Sequence, residues 1–330
     1  MKGLSKRDCV IKGVVAVDQE TGKEYRIKSS VVINATGIFS DQILKMDDPN
    51  ARKIISVSQG VHIVLDKEFL PGESAIMVPQ TEDGRVLFVV PWHGKVIVGT
   101  TDTPIKAVSL EPQPLAEEVE FILHHAAKYM SKDPAAGDVK SVFAGLRPLV
   151  NSRRVKETSS VSREHVVLVS QSGLITIAGG KWTTYRRMGE DAIDRAARVG
   201  GLRKEASRLA NLKIHGWLRD AGMNHHGYGS DMIGIENLIS HFPSLGERIH
   251  PALPYRKAEV VWHVRKEMAR TVEDVLSRRT RALLLDANAS IEAAPVVAGL
   301  MARELGRDER WMDDQVRAFG KLAKGYTLSR

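Results

Sequence analysis

The sequence predicts an α+β protein, and three features of the residue pattern predict it. Short runs of β-branched residues separated by glycine turns occupy the first part of the chain and recur between residues 54 and 101, as in antiparallel strands. A continuous apolar run at residues 174–178 precedes two glycines and a helical pattern, which is typical of a buried strand followed by a helix. From residue 211 onward the pattern is helical. We therefore expect a separate all-α domain at the C-terminus.

The N-terminal segment is predicted to form a meander of three strands. Gly22 supplies the positive φ angle that a tight turn favours, and β-branched runs flank it. Cys9 lies among strand residues, which favours a buried, inert thiol over a nucleophile. The third strand ends in Asn34-Ala-Thr-Gly37, whose small residues allow another group to come close. The three strands are expected at Cys9 to Val17, Lys23 to Lys28 and Val31 to Ala35.

Between Ile54 and Thr101 the pattern predicts an antiparallel sheet. The connection His93-Gly94, flanked by β-rich runs, is a hairpin signal. Pro114 is expected as the first residue of a helix packed on this sheet. The predicted strands are Val61 to Leu65, Ala75 to Val78, Arg85 to Trp92 and Lys95 to Gly99, and the apolar face of the helix carries Leu115, Val119, Ile122, Ala126 and Met130.

A strand-to-helix unit follows. Strands at His165 to Ser170 and Leu174 to Ala178 are expected to pair, and Gly179 and Gly180 then allow close approach to a group that is not protein. Free N–H groups at the start of the next helix favour a phosphate or an electron-rich ring, although a packed turn without ligand fits the pattern equally well. The helix is expected from Thr184 to Val199, with Met188, Ala192, Ile193 and Ala196 facing inward and Gly200-Gly201 at its end.

The C-terminal part carries long helical periodicities. These cover Lys257 to Leu285 and Ala289 to Leu305, with Gly306 as the expected stop. Asp308 is the expected N-cap of a last helix through Trp311, Val316 and Phe319. The basic run Arg278-Arg-Thr-Arg281 is interpreted as a solvated helix face.

Composition narrows the class of protein. The chain has 330 residues, 43% of them hydrophobic, which is enough for a sizeable core and two or more domains. No apolar run is long enough to span a bilayer, the N-terminus shows no signal-peptide pattern, and a single cysteine fits a reducing compartment. A net charge of +8 favours anionic partners. Nucleic acid is not expected, because aromatic residues are only 5% of the chain and no nucleic-acid-binding signature occurs. His225-His226 is rejected as a metal site because adjacent side chains diverge, and no metal is expected.

Several ordered motifs resemble one enzyme family over nearly the whole chain. They are Val31-Val-Ile-Asn-Ala-Thr-Gly37, Gln59-Gly-Val-His-Ile-Val64, Val98-Gly-Thr-Thr-Asp102, Gly145-Leu-Arg-Pro-Leu149, Ser162-Arg-Glu-His165 and Gly173 to Arg186. The chain resembles the FAD-dependent glycerol-3-phosphate dehydrogenases. The resemblance implies the remainder of an FAD-binding α/β domain at 1–46 and 158–205, an antiparallel-sheet substrate domain at 47–157 and a helical cap domain at 211–330.

For the cofactor, the resemblance implies FAD bound along two strand ends. The implied contacts are Ala35, Thr36, Gly37, Gly179, Gly180, Lys181, Trp182, Thr183 and Thr184. A cation at Lys181 would also stabilise the negative charge that develops on the reduced cofactor, which makes Lys181 a candidate catalytic residue. The family's G-x-G-x-x-G fingerprint has no counterpart here. We therefore expect this chain alone to bind FAD weakly or not at all, with little activity.

For the substrate, the resemblance implies that Arg147 and Arg163 bind the phosphate of sn-glycerol 3-phosphate. A guanidinium can grip a phosphate dianion with two parallel hydrogen bonds, and Pro148 stiffens the backbone behind Arg147. His62 is a candidate base for the C2 hydroxyl proton and a candidate substrate contact. Arg147 stabilising the alkoxide, with solvent taking the proton, is the alternative. Thr101 is expected either to orient a substrate hydroxyl or to shape a turn.

The implied reaction is oxidation of sn-glycerol 3-phosphate to dihydroxyacetone phosphate, with hydride transfer to FAD and electrons passed to a quinone. Three alternatives stay open: an α-glycerophosphate oxidase that uses oxygen, another amine- or hydroxyacid-oxidising flavoprotein, and an inactive ligand-binding fragment. The expected location is the cytoplasm. A homodimer and a peripheral contact with the inner face of the cell membrane are left open.

Overall fold

The strands of the described residues form three sheets. The computed structural model describes residues 1–82, 84–150, 165–218 and 227–328. The sheet orders are β1-β2-β3, β11-β12-β4 and β10-β5-β8-β7-β6, with β9 paired to β5. The strands are β1 (Gly3–Arg7), β2 (Val10–Val17), β3 (Glu24–Lys28), β4 (Val32–Asn34), β5 (Ile55–Asp66), β6 (Ile76–Val78), β7 (Leu87–Trp92), β8 (Lys95–Gly99), β9 (Thr103–Ile105), β10 (Ser141–Val150), β11 (His165–Val169) and β12 (Leu174–Gly179).

Eight α-helices accompany the strands in the same described ranges. They are α1 (Ser40–Asp47), α2 (Ala116–Ala127), α3 (Tyr185–Val199), α4 (Met232–His241), α5 (Lys257–Lys266), α6 (Ala282–Leu285), α7 (Ala287–Leu305) and α8 (Glu309–Ala323). None of the described helices combines the length and the apolar character needed to cross a membrane. The mixture of antiparallel strands, one parallel pair and a helical C-terminal part confirms the predicted α+β class.

The chain divides into two units. The first comprises residues 1–59, 103–111 and 146–212, and the second comprises residues 60–102, 112–145 and 213–330. The boundaries fall within β5 and β10, both of which begin in one unit and end in the other. The three-domain division expected from the sequence stays a prediction.

The first unit is centred on β12, whose residues Leu174 to Ala178 are buried. This strand pairs antiparallel with β11 on one side and parallel with β4 on the other. Leu174 packs with Ile11 and Ile43, so one small apolar cluster joins the meander and α1 to the strand. Burial on both faces explains why this strand has a continuous apolar run instead of an alternating pattern.

A buried carboxyl group fixes the end of α1 in this unit. The Lys6 ammonium lies 2.7 Å from Asp47 Oδ1, and the Ser172 hydroxyl donates to the same oxygen at 2.5 Å. Burial acts to raise the pKa of Asp47, but the hydrogen bonds from Lys6 and Ser172 outweigh it and hold the pKa below its usual value. The ionised Asp47 side chain therefore links α1 to β1 through Lys6 and to the turn before β12 through Ser172.

The second unit contains the antiparallel sheet with α2 packed on it. The alternation of β5 and β8 points Val61, Ile63, Val96 and Val98 into one core, where Ile122 of α2 is also fully buried. Lys95 and Lys140 both reach Asp66 at the end of β5, at 2.6 and 3.0 Å.

The helical part of the second unit packs around α7. Its cap signals agree with the sequence: Asp308 accepts a hydrogen bond from the Trp311 N–H at 2.9 Å, and Gly306 ends α7 in the left-handed conformation. Phe319 of α8 is buried in the same core. The apolar members of this core include Val272, Leu276, Leu283, Ala293, Val297 and Met301.

Three details of the sequence interpretation are wrong in the first unit and on α2. Cys9 is exposed, because it sits with a φ of 64° in the turn between β1 and β2 instead of within a strand. Ile193 is 62% exposed, so the buried stripe of α3 is narrower than the apolar pattern suggested. Pro114 precedes the helix, which begins at Ala116 with Leu115 as N-cap.

The long C-terminal periodicity from Lys257 to Leu285 is also not one helix. Helix α5 ends at Lys266, a π-helical turn covers Asp274–Arg279, and α6 begins at Ala282. Met268 and Arg281 have φ angles of 56° and 59°, and left-handed residues interrupt a helix. The apolar periodicity continues across the interruption because α5, the π-helical turn and α6 all contribute residues to the same core.

Candidate functional site

The ends of β4 and β12 form one open edge in the first unit. Thr176 lies opposite Asn34 in the parallel register, so the carboxyl ends of the two strands are at the same edge of the sheet. Ala178 is buried, whereas Ala35, Thr36 and Lys181 are exposed. The carboxyl ends of parallel strands are where ligands bind in open α/β sheets. The two segments predicted to contact a cofactor, Ala35 to Gly37 and Gly179 to Lys181, therefore lie side by side.

Asn34 holds this edge together, and the sequence reasoning did not single it out. The side chain is only 2% exposed. Its amide donates to the Ser40 carbonyl at 3.1 Å and to the Thr176 hydroxyl at 3.2 Å, and its oxygen accepts from the Thr36 hydroxyl at 2.7 Å. One residue thus connects β4, β12 and the start of α1. A polar residue at the end of the otherwise apolar strand Val32–Asn34 was the signal that could have found it.

The glycines of the edge serve two purposes. Gly37 has a φ of 59°, and a Cβ there would meet no atom within 4 Å, so space lies open beside its backbone. Gly180 has a φ of 82°, but a Cβ there would lie 2.5 Å from Met188 Sδ. At Gly180 the missing side chain therefore leaves room for α3 as well as relaxing the turn.

An exposed cation and two aromatic rings follow the glycines. Lys181 is exposed, and its backbone is fixed by Thr184, whose hydroxyl donates to the Lys181 carbonyl at 3.0 Å. The Trp182 and Tyr185 side chains are 88% and 61% exposed, and their ring centroids lie 5.9 Å apart. The two rings offer a flat apolar surface, and Lys181 offers a positive charge. This surface therefore suits a flat, anionic ligand.

Arg147 belongs to the same unit as this edge. It lies on β10, where its neighbours Leu146 and Val150 pack in one cluster with Ile38 and Ala178. Ile38 and Ala178 adjoin Gly37 and Gly179, so the strand that carries Arg147 is tied to the glycine edge. Strand alternation places the Arg147 side chain on the face opposite to that cluster.

His62 and Thr101 lie together in the second unit. His62 stands opposite Gly99 in the β5–β8 register, and its ring stacks on Phe143 with centroids 5.5 Å apart. The Thr101 hydroxyl is fully buried, accepts the Val61 N–H at 2.9 Å and donates to Glu118 Oε1 at 2.7 Å. Of the two roles that the sequence left open for Thr101, the structure therefore favours a structural one over contact with a substrate hydroxyl.

The structure thus groups the predicted residues in two sets. One set, in the first unit, contains Arg147 and the segments 35–37 and 179–184, and the other contains His62 and Thr101. Arg163 lies outside the described residues, as does His225-His226.

Two family models match the chain. The model described as FAD dependent oxidoreductase covers residues 2–186, which include the whole glycine edge and Arg147. The chain belongs to this FAD-dependent oxidoreductase family. A second model, described as the C-terminal domain of alpha-glycerophosphate oxidase, covers residues 176–312.

Relatives of this flavoprotein chain have consistent names. A probable mitochondrial glycerol-3-phosphate dehydrogenase of Caenorhabditis elegans is 41% identical, over 94% of this chain and 46% of its own length. The mitochondrial glycerol-3-phosphate dehydrogenase of Homo sapiens is 39% identical with the same coverage. The chain therefore spans about half the length of these relatives.

A solved structure has the same fold. It is the glycerol-3-phosphate dehydrogenase from Bacillus halodurans in complex with FAD, with a TM-score of 0.81 and 26% identity. The match covers 98% of this chain and 68% of that chain.

The edge described above meets the requirements of a flavin. Open space lies beside the backbone of Gly37 at the end of β4, and the turn from Lys181 to Trp182 offers a cation and a flat ring. These donors and surfaces fit a large, planar, anionic group.

Proposed function

We propose that this chain carries the flavin-facing and substrate-facing parts of an FAD-dependent sn-glycerol-3-phosphate dehydrogenase. The observation that carries the proposal is the open edge shared by β4 and β12, in a chain of the FAD-dependent oxidoreductase family. The names of the relatives support the substrate. The product would be dihydroxyacetone phosphate.

In this proposal the residues of the edge hold FAD. The small residues Ala35 to Gly37, with open space beside Gly37, let the ring approach the backbone closely, while Lys181 to Thr184 supply positive charge and aromatic contact. Bound FAD would supply the acceptor for the hydride from C2 of the substrate. Lys181 would favour negative charge at the cofactor during that transfer.

Arg147 is proposed to hold the substrate phosphate, together with Arg163. The guanidinium presents several N–H donors in a plane and stays charged at every physiological pH, which suits a phosphate dianion. Selectivity for the phosphorylated triol over free glycerol would follow, because glycerol offers this arginine no charge. His62 is proposed as the group that accepts the C2 hydroxyl proton.

Titration calorimetry with sn-glycerol 3-phosphate tests the proposal on the purified chain. We expect binding to the wild-type chain and much weaker binding of glycerol. Arg147→Ala should weaken phosphate binding by about 1.5–3 kcal/mol, or about 10- to 150-fold in Kd, because a charged hydrogen-bonding pair is lost. Arg147→Lys should recover only part of this loss, because an ammonium cannot bind two oxygens in parallel.

Arg26→Ala is the matched control, because it removes the same charge from an exposed strand of the same unit. Equal affinity of Arg147→Ala and Arg26→Ala would remove the assignment of Arg147. Equal affinity of the wild-type chain for glycerol and for sn-glycerol 3-phosphate would refute the proposed function.

We propose a quinone as electron acceptor, supported by the dehydrogenase names of the relatives. The match of residues 176–312 to an oxidase domain favours oxygen as the second candidate. With saturating FAD and substrate, reduction of a quinone-like dye supports the dehydrogenase and peroxide formation assigns the oxidase. Binding of substrate with neither product would identify a ligand-binding module.

Three further expectations stay proposals. They are a cytoplasmic location, a peripheral contact with the inner face of the cell membrane, and a homodimer. Cosedimentation with vesicles that contain acidic lipid tests the membrane contact, since a positively charged chain should bind them at low salt. Light scattering on the purified chain tests the dimer.

A further inference from the structure

We infer that Gly99, Thr101 and Glu118 form a positioning frame for the His62 imidazole. His62 takes its functional meaning from the proposed function, whereas the frame itself is a feature of the fold. None of the three frame residues is proposed to touch substrate or cofactor. Each acts on the backbone or the ring of His62.

Gly99 provides the space in which the ring lies. His62 and Gly99 are directly opposite on neighbouring antiparallel strands. A Cβ at position 99 would lie 2.3 Å from His62 Cδ2 and 2.9 Å from Nε2, closer than any real contact. The ring therefore crosses over the backbone of β8, and it stacks on Phe143 with an interplanar angle of 16°. Only glycine at position 99 permits this placement.

Thr101 fixes the backbone immediately before His62. Its hydroxyl has one proton, which goes to Glu118 Oε1, so a lone pair of the same oxygen accepts the Val61 N–H at 2.9 Å. Val61 is fully buried and its side chain faces the core. By strand alternation, the next residue, His62, is directed to the other face.

Glu118 anchors Thr101. Its side chain is only 2% exposed, and its second oxygen accepts the Leu115 N–H at 3.1 Å. A buried carboxyl group is costly unless its oxygens are hydrogen-bonded. A helix N-terminus can be capped by an exposed side chain at no such cost, so capping of α2 alone does not require burial of Glu118. The hydrogen bond from Thr101 accounts for the burial of the Glu118 carboxyl group.

The chemical reason for such a frame is the geometry of proton transfer. A base must lie within hydrogen-bond distance of the proton that it takes, and a displacement of about 1 Å can cost about 100-fold in rate. An imidazole on a strand has two side-chain torsions to fix. Contact with the glycine backbone and with Phe143 fixes the ring, and the hydrogen bonds through Thr101 fix the strand.

The first test uses nuclear magnetic resonance of the purified chain, with labelled histidine and phenylalanine. In the wild-type chain we expect a nuclear Overhauser effect between the ring protons of His62 and Phe143, whose ring centroids lie 5.5 Å apart. Gly99→Ala should abolish it and change the ring chemical shifts of His62, because the new methyl group occupies the position of the ring. Gly137→Ala is the matched control, since a Cβ there meets no atom within 4 Å.

The second test uses Thr101 and does not depend on Gly99→Ala folding. Thr101→Val keeps the shape but removes the hydroxyl, and it should weaken the Overhauser effect and broaden the His62 signals. Thr101→Ser keeps the hydroxyl and should restore both. A variant that disturbed only general stability would show no such difference between valine and serine.

The outcomes separate this inference from the proposed function. An unchanged His62 ring in both Gly99→Ala and Thr101→Val would overturn the frame. If the frame is present but sn-glycerol 3-phosphate does not bind, the proposed function fails and the frame stands. If the chain reconstituted with FAD oxidises sn-glycerol 3-phosphate, Thr101→Val should lower kcat about 10- to 100-fold and change KM less. The substitution would displace the proposed base, His62, and leave the proposed phosphate site unchanged.

Discussion

Replacing Asn34 by alanine is expected to loosen the edge between β4 and β12. Asn34 makes three hydrogen bonds of good geometry, to the Ser40 carbonyl, the Thr176 hydroxyl and the Thr36 hydroxyl. At about 0.5–1.5 kcal/mol each, their loss should cost about 1.5–4.5 kcal/mol of local stability. The expected value is in the upper half of this range, because Asn34 and Thr176 are both buried and a buried polar group that loses its partner is costly.

Hydrogen–deuterium exchange read out by mass spectrometry measures this change locally. The opening free energy of the β12 amides, from Leu174 to Gly179, should fall by that amount, while helix α7 of the second unit should keep its protection. Thr176→Val removes one of the three bonds and should cost about 1 kcal/mol. Asn50→Ala, on the surface of the same unit, should change protection by less than about 0.5 kcal/mol. Unchanged protection of β12 in Asn34→Ala would refute the reasoning.

Two further predictions concern stability. Asp47→Asn removes the charge that faces Lys6 and should cost about 1.5–3 kcal/mol at neutral pH. Because the folded-state pKa of Asp47 is lowered, its contribution is present above about pH 3.9, the unfolded-state pKa, and is lost as the pH falls through the folded value. Urea denaturation across this pH range should therefore show the wild-type and variant curves converging in acid, and a constant difference would contradict the assignment. Gly234→Ala should destabilise the second unit by about 1–3 kcal/mol, since its Cβ would lie 2.3 Å from the Trp262 ring, whereas Gly320→Ala has open space and should stabilise its helix by up to about 1 kcal/mol. Thermal denaturation that moved both glycine variants in the same direction would sink this argument.

The elements that the sequence predicted correctly are those with local causes. The hairpin at His93-Gly94 forms because a two-residue turn brings β7 and β8 together. The caps at Gly306 and Asp308 act within four residues of themselves. The interruption between Lys257 and Leu285 was missed because Met268 and Arg281 adopt left-handed conformations, which residues other than glycine rarely do and which their residue types therefore do not signal.

The candidate site divides in the same way. Residues of the glycine edge were found because small residues and glycine pairs mark close approach directly in the sequence. Thr101 was predicted either to contact a substrate hydroxyl or to play a structural role, and its buried, hydrogen-bonded hydroxyl favours the structural role. The roles of His62, Arg147 and Lys181 stay predictions, because burial and hydrogen bonds describe where these side chains are and not what they bind.

Asn34 and Glu118 show why residues that position the proposed contacts could not be predicted from the sequence. Asn34 donates to a hydroxyl 142 positions away, and Glu118 accepts from a hydroxyl 17 positions earlier, in the connection between β8 and β9. Neither spacing has a period that helices or strands would reveal. Both side chains are almost fully buried, and a buried polar group without partners would destabilise the fold, so each must hold another group in place. Asn34 accepts from the hydroxyl of Thr36, a proposed cofactor contact. Glu118 accepts from the Thr101 hydroxyl, which in turn accepts the Val61 N–H beside His62. Variants of these two residues should therefore disturb the positions of the proposed contacts while leaving the contacting side chains themselves unchanged.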